Sequence, residues 1–267
     1  MNPAYAPLRR TDRRLTPPEV IRLPGNGALG LIPYLMAGHP DRDRSAAAAR
    51  SLAALPVAAL ELGIPFSDPL ADGPVIQRAG QAALEAGTTV ATCLELAAEV
   101  SPRVPVVFMS YVNPILSYGP ERFAADSAAA GVAGVILPDL PPEEAGSVAS
   151  ALESKGLATV FMVAPTSSRE RIRLLCDSSR GFVYCVTLTG ITGVRSELPE
   201  GIAELLGRVR AATRLPVAAG FGISRPEHLR ALRGAADAAA VGSAVVNEVA
   251  EGRDPAGLVQ ELLAACR

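Results

Sequence analysis

The run Val57-Ala58-Ala59-Leu60-Glu61-Leu62-Gly63 is apolar on both faces a strand would present, with Glu61 as its single charge. It leads into the loop Ile64-Pro65-Phe66-Ser67-Asp68-Pro69-Leu70-Ala71-Asp72-Gly73-Pro74. A strand with one wet face alternates apolar and polar residues, whereas a continuously apolar strand is buried on both sides, as in a helix-covered parallel sheet. Seven more such runs occur, at 29–37, 104–109, 132–137, 158–163, 181–186, 216–220 and 238–241. An Ala/Leu/Arg-rich helical segment follows nearly every one. Eight strands spaced by about thirty residues, each with its helix, predict an α/β chain folded as a single (β/α)8 barrel. An open doubly wound sheet is the alternative.

Helix punctuation agrees with that cadence. Asp41 is placed to cap a helix over 42–54 that Pro56 stops. Pro141-Pro142-Glu143-Glu144 puts proline and acids in a first helical turn, and Ser224 with Pro226 and Glu227 repeats the device before a helix over 228–234. The longest gap, between the second and third strands, has room for a loop and two helices. Residues 1–27 break the cadence. They are rich in Pro and Arg (Arg9, Arg10, Arg13, Arg14) and read as a solvated, partly disordered arm, with a partner-binding segment as the alternative, which leaves 28–267 as the catalytic barrel.

Composition removes several function classes. Of 267 residues, 25 are basic and 27 acidic, a net charge of −2 without the basic excess that nucleic-acid binding needs. A 49% hydrophobic content is enough to order the chain. With no 18-residue apolar stretch and no charged-then-apolar leader, the expectation is a cytoplasmic protein. Cys93, Cys176, Cys185 and Cys266 form no C-x-x-C and read as buried free thiols. The only lysine, Lys155, falls at the end of a predicted helix rather than at a strand end, which argues against imine chemistry. His39 and His228 lie far apart in sequence and make no metal centre by themselves, so no metal is expected. His39 follows the first strand and could line the barrel mouth, while His228 reads as an exposed helix residue.

Barrel active sites lie at the C-terminal ends of the strands. Glu61 sits there, and burying a carboxylate is costly. Asp72 lies in the Gly/Pro-shaped loop that can fold back over the same mouth, so the two form a candidate acid/base pair. The alternative is that Glu61 pairs with an arginine inside the barrel and Asp72 is a turn residue. Glycine sets follow the last three strands: Gly190 to Gly193, Gly220 to Ser224, and Gly242-Ser243. The last of these stands ahead of a short helix. Backbone amides there can approach phosphate oxygens without a lysine, although glycines can also simply make turns.

With these residues in place, the chain resembles the tryptophan synthase α chain family from about residue 29 to the C-terminus. The stretch from Glu61 to Pro74 carries the resemblance, supported by Ile32-Pro33-Tyr34-Leu35…Gly38, Met109 to Pro114, and Pro138 to Glu144. The resemblance implies a TIM barrel that cleaves indole-3-glycerol phosphate to indole and glyceraldehyde 3-phosphate. It implies no cofactor on this chain, with pyridoxal phosphate held only by a β chain in an α2β2 assembly. By position, Glu61 is the catalytic acid/base, Asp72 its carboxylate partner, and Tyr184 the tyrosine packed against the glutamate. Tyr34, Tyr111 and Thr192 match the indole slot, though a core role is the plainer reading of each tyrosine. Gly193, Gly222, Gly242 and Ser243 match the phosphate contacts, and 187–199 the closing lid. Pro65, Asp68, Asn113, Asp139 and Pro141 match positions facing the β chain.

Three departures stand out: His39 where the family usually has Asp, Thr187-Leu188-Thr189 ahead of the lid, and an arm unlike the family's N-terminal helix. None touches Glu61 or Asp72. A stand-alone lyase releasing free indole and a non-catalytic α-like subunit that activates a β chain are the competing functions. A phosphosugar isomerase on the same barrel would keep the glycine loops but leave the stretch from Glu61 to Pro74 unexplained.

Overall fold

A computed structural model describes residues 20–24, 27–187, 201–220 and 222–267. Among them run nine strands: β1 (Gly30–Met36), β2 (Leu60–Gly63), β3 (Val106–Met109), β4 (Val132–Ile136), β5 (Ala158–Val160), β6 (Met162–Val163), β7 (Val183–Val186), β8 (Val217–Gly220) and β9 (Ala238–Val241). Every strand pairing is parallel, in the order β5-β4-β3-β2-β1-β9-β8-β7-β6. The single strand expected over 158–163 is divided at Phe161. Its amide donates to Ser179 Oγ at 3.2 Å instead of to a strand, and its carbonyl accepts the Tyr184 amide at 3.3 Å. The chain thus leaves β4 after Val160 and joins β7 from Phe161 onward. β5 and β6 share one strand position, and the sheet closes as the expected (β/α)8 barrel.

The side-chain alternation of buried parallel strands builds two cores. Ile32, Tyr34 and Met36 of β1 belong to the interior cluster, while Leu31 and Leu35 belong to the shell between strands and helices. Inside, Ala218, Ala238 and Ala240 of β8 and β9 leave room for the large Tyr34, Phe182 and Tyr184. In the shell, Phe108 of β3 packs on Phe123 with ring centroids 6.1 Å apart. Leu62 is fully buried there, so Leu62→Ala should cost about 2–5 kcal/mol in lost transfer and cavity energy.

The helices largely follow the punctuation. Asp41 caps α1 (Arg42–Ala53) by accepting the Arg44 amide at 2.9 Å. The long β2–β3 gap holds α2 (Pro74–Glu85) and α3 (Val90–Val100), the second opened by a Thr89/Thr92 capping box. Two helices also follow β3, α4 (Val112–Tyr118) and α5 (Pro120–Ala129). Pro141 to Glu144 forms turns rather than a first helical turn, and α6 begins later, at Gly146–Ser154. The carbonyls of Pro141 and Pro142 accept the amides of Glu144 and Ala145, while Glu143 is held by Arg171 of α7 (Arg169–Ser178). Lys155 stands at the C-cap of α6. After α8 (Ile202–Arg210) and β8 comes α9 (Pro226–Leu232), which Ser224 does not cap. His228, expected to be exposed, is buried, because α9 turns His228, Leu229 and Leu232 toward the core. α10 (Ser243–Ala250) and α11 (Ala256–Ala265) end the chain.

Within the stretch read as an arm, Val20 and Ile21 are buried against the barrel interior, and the Arg22 amide donates to the Ala58 carbonyl at 2.7 Å. Residues 1–19 and 25–26 lie outside the described residues.

Candidate active site

Glu61 is the one Asp or Glu among the described residues that is fully shielded, at 1% exposure. Its strand pairs it with Tyr34 of β1 on one side and Val107 of β3 on the other, so its side chain enters the barrel near the C-terminal ends of the strands. Its Oε2 has no hydrogen-bond partner among the described residues, and no arginine among them is paired with it. Burial, with the charge of Asp72 added, raises its pKa to about 8.

Asp72 arrives from the turn after β2. Its amide donates to the Pro69 carbonyl at 3.0 Å, and its own carbonyl accepts from Gln77 Nε2 at 2.9 Å. Burial raises the carboxyl to about 6, against a hydrogen bond from the Tyr111 hydroxyl that favours the anion. The same hydroxyl accepts the Ala71 amide at 2.9 Å, and the ring packs on Phe66 at 5.4 Å between centroids. Tyr111 therefore pins the loop that carries Asp72. Gln77 and Phe66, to which the sequence alone assigns no role, complete that support.

Tyr34 and Tyr184 are both buried, and burial together with the two carboxylate charges holds their hydroxyls well above the usual range. Each ring needs a glycine beneath it. A Cβ on Gly63 would lie 2.0 Å from the Tyr34 hydroxyl, and one on Gly220 would lie 2.1 Å from that of Tyr184. The Tyr34 hydroxyl meets Met36 Sδ at 3.9 Å. Gly63 follows Glu61 at the spacing of one strand face, a signal the sequence contained. Seeing its use required knowing that Tyr34 lies on the neighbouring strand.

The glycine sets after β8 and β9 follow the C-terminal ends of those parallel strands, the end at which Glu61 lies. Gly222 has φ +77°, a conformation that penalises any Cβ. Gly242 occupies the N-cap of α10 and Ser243 its first turn, where free amides and the helix dipole favour an anion. Thr192 and Gly193, with most of the segment read as a lid, lie outside the described residues. Of the positions matched to a partner surface, Asp68 and Asp139 are exposed in loops, Asn113 is exposed in the first turn of α4, and Pro141 is half-buried. Pro65 is buried within the chain. Asp139 also accepts the Val112 amide at 3.0 Å, tying the start of α4 to the loop after β4.

His39 is half-buried after β1. Neither ring nitrogen has a partner among the described residues, and burial lowers its pKa against the opposing pull of Asp41. A cavity of about 340 Å³ lies apart from the carboxylates, between α1, α3 and the α2–α3 turn, lined by Gly38, Arg42, Ser45, Thr88 and Glu95. Among the described residues no three His, Cys, Asp or Glu side chains group as a metal site would require, and no helix is long and apolar enough to cross a membrane.

The family model described as tryptophan synthase alpha chain matches residues 23–267. The tryptophan synthase alpha chain of Solibacter usitatus is 47% identical over 234 residues, covering 87% of this chain and 88% of its own. That of Acidiphilium cryptum is 46% identical over 239 residues, covering 88% and 87%. Among solved structures, Mycobacterium tuberculosis tryptophan synthase superimposes with a TM-score of 0.85 at 40% identity, over 90% of this chain and 93% of that one. A mutant tryptophan synthase alpha-subunit of Pyrococcus furiosus superimposes with a TM-score of 0.80 at 37% identity, over 90% and 98%.

Proposed function

Because the chain belongs to the tryptophan synthase alpha chain family, we propose that it is the lyase that cleaves indole-3-glycerol phosphate to indole and glyceraldehyde 3-phosphate. The observation that carries the chemistry is the pair of neighbouring carboxyls with separated affinities, Glu61 near 8 and Asp72 near 6. Two titratable groups pushed apart in this way divide the roles of acid and base.

Near neutral pH, Glu61 holds a proton and Asp72 is mostly the anion. Glu61 donates its proton to C3 of the indole ring, which places positive charge on the ring nitrogen. Asp72 accepts the hydrogen bond of the indole N–H and stabilises that charge. Glu61, now a carboxylate, takes the proton of the glycerol hydroxyl on the carbon next to the ring. The bond between that carbon and C3 breaks, its electron pair returns to the ring to regenerate indole, and the released carbon becomes the aldehyde of glyceraldehyde 3-phosphate. The protonated indole is its own electron sink, so the chain's residues need only move the proton and balance charge.

Tyr34 and Tyr111 flank the indole, and Tyr184 packs against Glu61. Thr192 contacts the Asp72 loop, and Gly193, Gly222, Gly242 and Ser243 hold the phosphate. The chain acts as a carbon–carbon lyase without a cofactor of its own, in the cytoplasm. Its partner is a tryptophan synthase β chain that carries pyridoxal phosphate, in an α2β2 assembly docked through the face bearing Asp68, Asn113, Asp139 and Pro141, with Pro65 beneath it.

The test is indole release from indole-3-glycerol phosphate by the purified chain, alone and with a β chain. Slow turnover alone, a large rise with the β chain, and loss of turnover in Glu61→Gln are expected. Undiminished cleavage by that variant would overturn the role of Glu61, and fast turnover unaffected by any β chain would overturn the assembly.

A further inference from the structure

His228 is a buried imidazole that the proposed chemistry does not use. Its Nδ1 accepts the backbone amide of Ser224 at 3.3 Å, while its own amide donates to the Arg225 carbonyl at 3.1 Å. Its Nε2 has no partner among the described residues. For Nδ1 to accept, the ring must be neutral with its proton on Nε2. A residue wanted only for packing on this inward face would be Leu, as at 229 and 232, which share the face.

The bond falls where it can control geometry. Ser224 lies two residues after Gly222, the left-handed glycine of the loop between β8 and α9, and between them Ile223 is buried. Ile223 anchors the loop by packing, which sets depth but not peptide orientation. The Ser224–His228 hydrogen bond sets orientation, because it turns one particular amide inward and thereby fixes the planes of the peptides before it. Gly222 restrains little by itself, since its backbone crosses between left- and right-handed regions at small cost.

We propose that His228 is a positioning residue that holds the Gly222 to Ser224 loop in its anion-binding shape, by accepting the Ser224 amide through Nδ1. This rests on the reading of that loop as part of the phosphate site. His228 touches no substrate; it acts through the backbone of the loop.

Three proteins test it: the wild type, His228→Leu, which fills the volume without an acceptor, and His228→Asn, whose Oδ1 can stand where Nδ1 does. Binding of glycerol 3-phosphate and of indole is measured by calorimetry, and the Gly222 amide resonance is followed during the glycerol 3-phosphate titration. Losing one backbone hydrogen bond should weaken glycerol 3-phosphate about tenfold in His228→Leu and raise KM for indole-3-glycerol phosphate similarly, with kcat changed less than about twofold. His228→Asn should stay near the wild type, and indole should bind all three alike. Wild-type affinity for glycerol 3-phosphate in His228→Leu overturns the inference, as does an equal loss in His228→Asn. If His228→Leu does not fold, His228→Phe supplies a second acceptor-free side chain. A wild-type Gly222 resonance that ignores glycerol 3-phosphate instead overturns the phosphate reading itself, and the inference with it.

Discussion

Tyr34 stands opposite Glu61 across the β1–β2 ladder, and its hydroxyl lies over Gly63, the next residue on the same face of the glutamate's strand. The ring is buried, so it cannot swing out to make room for a larger residue. In Gly63→Ala the new methyl would press on the ring tip, and overpacking of this kind should destabilise the fold by about 1–3 kcal/mol. Tyr34→Phe removes the atom that would lie 2.0 Å away but leaves the ring carbon at 2.6 Å, so it should relieve only part of the strain. Denaturant unfolding of the wild type, both single variants and the double variant measures the coupling. Simple additivity of the two changes would show that this contact is not the source of the cost.

Glu61 also links stability to pH. Its carboxyl is raised from 4.5 to about 8, so across that interval the folded chain holds a proton that the unfolded chain releases. Its contribution is therefore fully present below about pH 4.5 and falls away as pH rises through about 8. Asp72, raised from 3.8 to about 6, adds a smaller loss of the same sign. Urea unfolding between about pH 5 and 8.5 should show the wild type losing stability on the order of a few kcal/mol, and Glu61→Gln losing distinctly less. Parallel pH curves for the two proteins would contradict the raised carboxyl.

The barrel was legible because a parallel sheet covered by helices leaves a local mark: each strand is a short, wholly apolar run. Glu61 was legible for the same reason, as a charge where the mark forbids one. What escaped depends on partners distant in sequence. Nothing near Phe161 announces that Ser179 will take its amide and divide the strand. Prolines and acids at 141–144 suit a helix start, yet Arg171 from another element claims Glu143. His228 looked like a polar residue on a surface helix because its acceptor role belongs to a loop amide, and backbone amides leave no trace in residue identity.

Tyr111 is the strut under Asp72. Its hydroxyl takes the Ala71 amide and bonds the Asp72 carboxylate, and that second bond pulls the Asp72 affinity downward. Removing it in Tyr111→Phe takes a donor from the charged form, so the Asp72 pKa should move up from about 6. The acid limb of the pH dependence of kcat/KM should shift to higher pH, and stability should fall by about 0.5–1.5 kcal/mol. An unshifted acid limb with a normal loss of stability would mean that the group titrating there is not Asp72.

Gly222 and Gly252 both have φ +77°, one in the loop after β8 and the other beyond the C-terminal end of α10. Alanine at either position meets the same backbone penalty, about 1–2 kcal/mol for a left-handed residue with a Cβ. The two variants should therefore lose comparable stability in thermal or denaturant unfolding. They should differ in binding, because only Gly222 belongs to the proposed phosphate cradle. Gly222→Ala should raise KM for indole-3-glycerol phosphate by about tenfold or more, by displacing an amide or crowding an oxygen, while Gly252→Ala leaves it unchanged. Matched stability thus separates the phosphate effect from the cost of the conformation. If both variants kept the wild-type KM, the loop after β8 would be structural, and the phosphate would have to be held by the amides at the start of α10.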